Sequence, residues 1–151
     1  KLVMDIFREI HEEKFITLKS YMYQEKRLHI FDLDDTLCLR NRIEDTDEYH
    51  EQVINMIKDL KKDGKIIAMA SHNTNPHYYL SKMGIINYFD IIIGEYPRRK
   101  DDMVNEILLQ TGCDVTEAVF YDDQKYNIDL VGNLGVTVYH VPRNGITITL
   151  L

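Results

Sequence analysis

Side chains that can do chemistry follow four short apolar runs of this sequence. Carboxylates come after the first and fourth runs, a hydroxyl and an imidazole come after the second, and a basic trio comes after the third. In chain order these residues are Asp32, Asp34, Asp35, Ser71, His72, Asn73, Arg98, Arg99, Lys100, Asp122 and Asp123. If the runs are parallel strands of one sheet, the residues lie at its carboxyl edge, where such sheets bind ligands.

The acidic members of this set would repel one another in a folded protein. At an effective dielectric near 20, a like-charged pair 4 Å apart costs about 4 kcal/mol, so the group requires a cation. Mg²⁺ prefers carboxylates, waters and phosphate oxygens as ligands. No His/Cys cluster with the spacing of a zinc site occurs in the sequence. The sequence therefore predicts Mg²⁺ as the cofactor.

The pattern Asp32-x-Asp34 suits phosphoryl transfer. An Asp carboxylate is ionised at pH 7, so it can attack phosphate without a base and form an aspartyl-phosphate. Two residues of an extended segment separated by one position point to the same face, so Asp34 can protonate the leaving oxygen and then activate water. Ser71 can donate a hydrogen bond to a phosphate oxygen, and Lys100 can neutralise its charge.

The elements that must position these residues alternate along the chain. Apolar runs predict strands at residues 28–33, 65–70, 90–93, 118–121 and 136–139, and helical spacing of apolar residues predicts helices between them. Gly64 and Gly112 are predicted to end helices, and Asn75 is predicted to cap a helix that begins at Pro76. Strands alternating with helices predict a parallel sheet covered on both faces.

Three segments fall outside this alternation. Residues 2–23 have helical spacing and predict one or two amphipathic helices that lead into the domain. Residues 37–46 lack periodicity and predict a loop or a small flap. Residues 144–151 are compatible with an edge strand or with the first turns of a helix.

Composition and charge narrow the class of protein. A chain of 151 residues, 44% hydrophobic, predicts one domain with its own core. The net charge of −7 disfavours nucleic acid as a partner. No apolar run approaches the roughly 18 residues of a membrane span, so no membrane partner is expected.

The number and positions of the cysteines also exclude some classes of protein. Two cysteines are too few for a disulfide framework, which predicts a reducing, cytoplasmic location. A cysteine-dependent tyrosine phosphatase needs Arg six residues after its Cys. Glu44 and Val119 stand at those positions after Cys38 and Cys113, so neither cysteine matches.

The four motifs, in this order, resemble those of the haloacid-dehalogenase-like phosphohydrolases. They are DLDDT at residues 32–36, IIAMAS ending at Ser71, Lys100 at the start of a helix, and VFYDD ending at Asp123. The resemblance covers residues 28 to about 146. It implies a Rossmann-like three-layer α/β sandwich whose five-stranded parallel sheet has the order 3-2-1-4-5.

The resemblance implies a metal and reaction centre made of four acids. Asp32 would be the nucleophile and a Mg²⁺ ligand. Asp34 would be the general acid/base, with its backbone carbonyl as a further ligand. Asp122 would bind Mg²⁺, and Asp123 would bind it directly or through water. The acid at Asp34 narrows the chemistry, because phosphatases of the family need it and dehalogenases do not.

The resemblance also implies a phosphate-binding set. Ser71 and Lys100 would hold the phosphate, and Thr36 would order the loop after the nucleophile and complete that set. Within the family, the chain is similar to the small magnesium-dependent phosphatases, which share the strings YPRRK at residues 96–100 and FYDD at 120–123. Relatives of that branch act on phosphotyrosine or phosphorylated sugar adducts. The string DLDDTL is also similar to phosphoserine phosphatases that act on polymerase tails.

The spacing between motifs leaves no room for a large cap domain. Residues 36–65 hold a loop and one helix, and residues 71–100 hold a helix and a strand. We therefore expect a capless phosphatase domain at residues 28–151, with at most a small flap, preceded by a helical lead-in at residues 1–27. An open site admits a phosphoprotein, or a phosphorylated small molecule if another subunit of a homo-oligomer covers it.

Three alternatives stay open beside a Mg²⁺-dependent phosphomonoesterase acting on a phosphoprotein or a phosphosugar. The basic trio at residues 98–100 is compatible with a phosphatase that acts on nucleotides or nucleic-acid ends. A catalytically inactive phosphate-binding module on the same fold is disfavoured by complete motifs. A receiver domain shares the residue types but is disfavoured by their order, since its acidic pair ends the first strand.

Overall fold

A computed structural model of the chain describes residue 23, residues 25–39 and residues 46–141. Five strands and four α-helices alternate through these ranges. The strands are β1 (Leu28–Phe31), β2 (Ile66–Ser71), β3 (Ile91–Gly94), β4 (Ala118–Asp122) and β5 (Thr137–His140). The helices are α1 (Thr46–Lys62), α2 (Pro76–Lys82), α3 (Lys100–Thr111) and α4 (Lys125–Gly132), with 3₁₀ turns at Ile86–Tyr88 and Val115–Glu117.

The strands form one parallel sheet in the order β3-β2-β1-β4-β5. The predicted α/β fold and its strand order are confirmed. The strand order reverses between β1 and β4. Within the sheet, β2 and β3 lie on the β1 side of this pair, and β5 lies on the β4 side. This is the place where ligands bind in doubly wound sheets.

Alternate residues of the strands point into two separate cores, because side chains of a strand alternate between its faces. Phe31 and Met69 pack with α1 and α2 in one core. Ile30 and Ala68 pack with α3 and α4 in the other. Both central strands are buried along their full length, which explains why they are mostly apolar rather than alternating.

Element boundaries differ from the prediction by one or two residues. The second strand reaches Ser71 because the ladder pairs Ser71 with Gly94 of β3, and the fifth strand lies one residue later than predicted. Gly112 ends α3 as predicted, with φ of 70° and its N–H bonded to the Leu108 carbonyl. Asn75 occupies the N-cap position of α2, but the prediction that its side chain caps the helix is wrong, since it makes no capping bond.

Several predicted segments lie wholly or mostly outside the described residues. These are the lead-in helices at residues 2–23, most of the loop at 37–46 and the tail at 144–151. Tyr23 is described, and its ring packs edge-on against Tyr121 and Tyr139 with centroids 5.7 Å away. Between Ser71 and Lys100 the chain contains α2, one 3₁₀ turn and β3, with no cap-sized insertion. No helix among the described residues is long and apolar enough to cross a bilayer.

Candidate active site

Asp32 lies directly beyond the last residue of β1, the middle strand of the sheet. Its backbone N–H donates to the Tyr121 carbonyl on β4 at 2.9 Å, which continues the strand pairing and fixes the start of the following turn. Its carboxylate is only 6% exposed. The residue predicted as nucleophile therefore lies at the centre of the carboxyl edge, in a nearly enclosed position.

Asp122 is the last residue of the neighbouring strand β4, and its carboxylate is fully buried. The Gln124 N–H donates to its Oδ1 at 2.8 Å, and the Asn127 side-chain amide donates to its Oδ2 at 3.2 Å. One oxygen each from Asp32, Asp122 and Asp123 lie within 4.8 Å of one another. Three of the predicted metal ligands are thus assembled by two adjacent strand ends.

Lys100 is the only member of the basic trio that enters this cluster. It begins α3 and is 1% exposed. Its Nζ donates to Asp32 Oδ1 at 2.8 Å and to Asp122 Oδ2 at 2.9 Å. Arg98 instead pairs with Glu95 and Glu106, and Arg99 pairs with Asp101. The ammonium of Lys100 is therefore the resident counter-ion of the two buried carboxylates.

The electrostatics of the cluster leave an excess of negative charge. Burial raises the pKa of the Asp32 carboxyl well above its usual range, Lys100 opposes this rise, and Asp122 and Asp123 add to it. Burial also raises the pKa of Asp123. Burial alone would lower the pKa of Lys100, but Asp32 and Asp122 together outweigh it and raise that pKa. Three carboxylates facing one ammonium are compatible with a further cation.

A tight turn after β1 positions Asp34 and Thr36. The Leu33 carbonyl accepts hydrogen bonds from the N–H groups of Thr36 and the two following residues, and Asp35 has a positive φ of 60°. Asp is among the residues that tolerate this conformation. The Thr36 hydroxyl donates to Asp32 Oδ2 at 3.4 Å. Thr36 is fully buried, so the turn is anchored directly to the predicted nucleophile.

Asp34 lies outside the three-carboxylate group and faces the loop after β2. The Asn73 amide donates to its Oδ2 at 3.5 Å. Ser71 is fully buried at the end of β2, and its hydroxyl oxygen accepts from the Asn73 N–H at 2.9 Å. Asn73 thus connects the predicted acid/base with the predicted phosphate-binding serine.

His72 links the two loops that carry Ser71 and Lys100. Its Nε2 lies 2.6 Å from the Arg98 carbonyl oxygen, which can only accept, so Nε2 carries the hydrogen. Its ring lies edge-on to Tyr96 with centroids 5.8 Å apart. The bond holds the end of β2 against the segment that leads into α3.

The sequence pattern placed Asn73 after the second strand without a role, and it gave Asn127 no role in the site. Asn127 is 6% exposed and lies in the first turn of α4, five residues after Asp122. A buried amide beside Ile128 on an otherwise apolar helix face was the available signal. The position of Asn73 after the second strand was visible in the sequence, but its bond to Asp34 depends on where the β1 turn lies relative to the β2 loop.

Comparison with known proteins assigns the family. Residues 38–151 match the family model described as Acid Phosphatase. The match begins after Asp32, Asp34 and Thr36 and does not cover these three residues. A search of curated proteins finds no match.

Solved structures share the fold at low sequence identity. The N-terminal part of the Bacteroides fragilis protein BF1531, which contains a phosphatase domain complexed with Mg, is 21% identical with a TM-score of 0.67. That match covers 87% of this chain and 40% of the other. The Streptococcus pneumoniae hydrolase SP0104, of the haloacid dehalogenase-like family, is 14% identical with a TM-score of 0.60, covering 76% and 84% of the two chains.

An L-2-haloacid dehalogenase from Xanthobacter autotrophicus also shares the fold. It is 10% identical with a TM-score of 0.57, covering 77% of each chain. The fold by itself therefore does not decide between phosphate and halide chemistry. The family model does: the chain belongs to the acid phosphatase family, within the haloacid-dehalogenase-like phosphatases.

Proposed function

We propose that this protein hydrolyses phosphomonoesters through an aspartyl-phosphate on Asp32. The observation that carries the proposal is the enclosed Asp32 carboxylate, bonded to Lys100 at 2.8 Å and grouped with Asp122 and Asp123. A carboxylate with a fixed cation beside it can approach an anionic phosphate that a lone carboxylate would repel.

The proposed reaction has two steps on this chain's own groups. An Asp32 oxygen bonds to phosphorus while the ester P–O bond breaks, and Asp34 gives its proton to the leaving alcohol oxygen. Asp34 then takes a proton from water, and the water oxygen attacks phosphorus. The acyl-phosphate P–O bond breaks, which releases inorganic phosphate and restores the Asp32 carboxylate. The Asn73 amide orients Asp34 for both transfers.

Ser71, Lys100 and Thr36 are the proposed phosphate-binding residues. The Ser71 oxygen already accepts from the Asn73 N–H, so its own hydroxyl hydrogen can be donated to a phosphate oxygen. Lys100 places its charge between the nucleophile and Asp122. Thr36 donates to Asp32 Oδ2 and so holds the other oxygen of that carboxylate in place.

Mg²⁺ is the proposed cofactor, held by Asp32, Asp122, Asp123 and the backbone carbonyl of Asp34. The donor set suits it, because all three grouped side chains offer hard oxygen atoms and their charge exceeds that of Lys100. When bound, it would offset the negative charge of the phosphate and of the acids.

The proposed substrate is a phosphoprotein, carrying phosphotyrosine or phosphoserine, or a phosphosugar. Nucleotides and nucleic-acid ends are the alternative substrates. An inactive phosphate-binding module is the alternative of another class.

Turnover of generic phosphoesters tests the proposal. We expect the purified protein with Mg²⁺ to hydrolyse phenyl phosphate, and a metal chelator to abolish the activity. Asp32→Asn should lower kcat by roughly 1,000-fold or more, because the amide is a poor nucleophile. Asp129→Asn is the matched control, since Asp129 is exposed and forms a surface ion pair with Lys125 on α4. No turnover on a broad phosphoester panel would favour the inactive binding module.

A further inference from the structure

A cleft with a volume of about 430 Å³ opens between the segment before α3 and the first turn of α4. This volume is within the usual range for small-molecule sites. Six of the residues that line it are His72, Tyr96, Pro97, Arg99, Tyr126 and Asn127.

The cleft adjoins the proposed active site through three of its residues. Asn127 lines the cleft and donates to Asp122. His72 directly follows Ser71, and Arg99 directly precedes Lys100. A phosphate held at the carboxylate cluster would therefore lie beside this cleft.

Two exposed tyrosines give the cleft its chemical character. Tyr96 is 71% exposed and Tyr126 is 67% exposed, and both line the cleft. Only two other large apolar side chains of the described residues are exposed, Tyr78 and Leu109. Aromatic rings that line a ligand site offer flat faces on which planar groups stack.

The rest of the lining supports a flat ring as the occupant. His72 contacts the Tyr96 ring edge-on, and its bond to the Arg98 carbonyl limits the movement of this wall. Pro97 adds a rigid apolar surface. Arg99 is on the rim, paired with Asp101 but with its side chain 59% exposed, so it can also attract an anionic substrate.

We propose that this cleft binds the leaving group of the phosphoester, and that the preferred leaving group carries an aromatic ring stacked on Tyr126 and Tyr96. The inference rests on the proposed function and narrows its substrates to those with an aromatic leaving group. The shared chemistry is an aromatic ring close to a phosphomonoester. Such a ring can come from a phosphorylated tyrosine side chain or from the base of a nucleoside monophosphate.

Steady-state kinetics of ring-deleting variants test this assignment. The substrates are phenyl phosphate and glycerol 3-phosphate, and the variants are Tyr126→Leu and Tyr96→Leu. Ring stacking contributes to ground state and transition state alike, so its loss raises KM and leaves kcat unchanged. We expect KM for phenyl phosphate to rise about 10-fold in each variant, the size expected for loss of one stacking contact, and KM for glycerol 3-phosphate to change less than about 2-fold.

Two controls separate stacking from general damage. Tyr126→Phe keeps the ring and should retain the wild-type KM for phenyl phosphate. Tyr78→Leu removes an exposed tyrosine of α2 that does not line the cleft, so KM for both substrates should stay at the wild-type value. Because each comparison uses one substrate across variants, the different reactivities of the leaving groups cancel. An equal change in KM for both substrates, or none for either, would overturn the inference.

Binding provides a readout that does not depend on turnover. In calorimetry, phenylphosphonate should bind the wild-type protein about 10-fold more tightly than methylphosphonate, and Tyr126→Leu should remove the difference. Equal affinities in the wild type would overturn the inference even if phosphatase activity is present. Conversely, a preference for phenylphosphonate without any turnover would contradict the proposed function alone. Adenosine 5′-monophosphate and a phosphotyrosine peptide, compared by KM, identify which source of the ring is preferred.

Discussion

At the residue scale, the site centres on a buried ammonium group that is paired with two buried carboxylates. Lys100 is almost fully enclosed and bonds to Asp32 and Asp122, which are themselves buried. The ammonium offsets the cost of burying two negatively charged groups, since unpaired charges are strongly disfavoured in protein interiors. The contact that holds the proposed nucleophile therefore also contributes to the stability of the fold.

Replacing Lys100 should destabilise the protein strongly. We expect Lys100→Met to lower the free energy of unfolding by roughly 3–5 kcal/mol in the absence of Mg²⁺, because it leaves two buried carboxylates without a cation. Urea denaturation measures the change. In Lys125→Met, which removes a surface partner of Asp129, the loss should be less than about 0.5 kcal/mol. Similar losses for both variants would contradict a special role for Lys100.

A second residue-scale feature is the buried imidazole of His29. It is fully enclosed, with Nε2 at 3.1 Å from the Lys26 carbonyl and Nδ1 at 2.9 Å from the Tyr121 hydroxyl. Since the carbonyl only accepts, the neutral ring carries its hydrogen on Nε2 and accepts from Tyr121 at Nδ1. Burial lowers the pKa of His29 to about 4; Lys65 also lowers it, while the bond to Lys26 raises it.

The low pKa of His29 predicts a loss of stability in acid. Between pH 6.5 and about 4 the unfolded chain binds a proton that folded His29 does not, so stability falls as the pH drops through this window. The full contribution is about 3 kcal/mol. Urea denaturation at pH 7 and pH 4.5 should show a steeper loss for the wild type than for His29→Gln. Raised pKa values at Asp32 and Asp123 act in the opposite direction, but they are common to both proteins. Parallel pH profiles would refute the prediction.

At the scale of elements, the ends of three parallel strands and the start of one helix assemble the site. Asp32 follows β1, Ser71 ends β2 and Asp122 ends β4, and the pairing of these strands places the three residues along one edge. Lys100 comes from the first residue of α3. The site also needs close contact between β3 and the loop after β2, because that loop carries Asn73, which donates to Asp34.

Gly94 at the end of β3 tests this contact. A Cβ at Gly94 would lie 2.5 Å from the Asn73 carbonyl oxygen and 2.5 Å from Pro76 Cδ, closer than any packing allows. We expect Gly94→Ala to cost about 1–3 kcal/mol of stability and to lower kcat by displacing the loop that holds Asp34. Chemical denaturation and turnover measure the two effects.

Gly132→Ala is the matched control for this substitution. Gly132 ends α4, and an added Cβ would have its nearest neighbours at 3.8 Å. There the change should be neutral or stabilising by up to about 1 kcal/mol, because Ala has the higher helix propensity. Unchanged activity in Gly94→Ala would show that the position of the β2 loop does not control the reaction.

At the scale of the whole molecule, the acidic cluster lies at the ends of two strands that contribute to both cores. β1 and β4 contribute residues to both cores, and their ends carry the proposed metal ligands. A cation bound between these ends would therefore act on the global folding equilibrium rather than on one loop. Such binding stabilises the native state by mass action.

Thermal unfolding measures this coupling. At a Mg²⁺ concentration near 100 times Kd, the free energy of unfolding should increase by about 2.7 kcal/mol, so Tm should rise. Asp122→Asn should remove most of the shift, whereas the surface variant Asp129→Asn should retain it. A wild-type Tm that does not respond to Mg²⁺ would contradict the proposed ligand set.

The sequence by itself determined the sheet, its helices and the group of acids at its edge. Apolar periodicity and glycine positions encode local conformation, and strands that alternate with helices impose parallel pairing. Polar residues after the apolar runs were therefore predicted to meet, and Asp32, Asp122, Asp123 and Lys100 do. The predictions for residues 2–23 and 144–151, which lie mostly or wholly outside the described residues, stay predictions.

Only the tertiary structure decided which partners these residues take. In the folded chain, Lys100 pairs with Asp32 inside the cluster, whereas Arg98 and Arg99 form ion pairs at the rim of the site. The tertiary structure also brought Asn127 to Asp122 and formed the cleft lined by Tyr96 and Tyr126. These outcomes depend on how far each helix lies from the sheet and how it is rotated. Spacing along the chain does not encode those distances, because they are set by the packing of side chains remote in sequence.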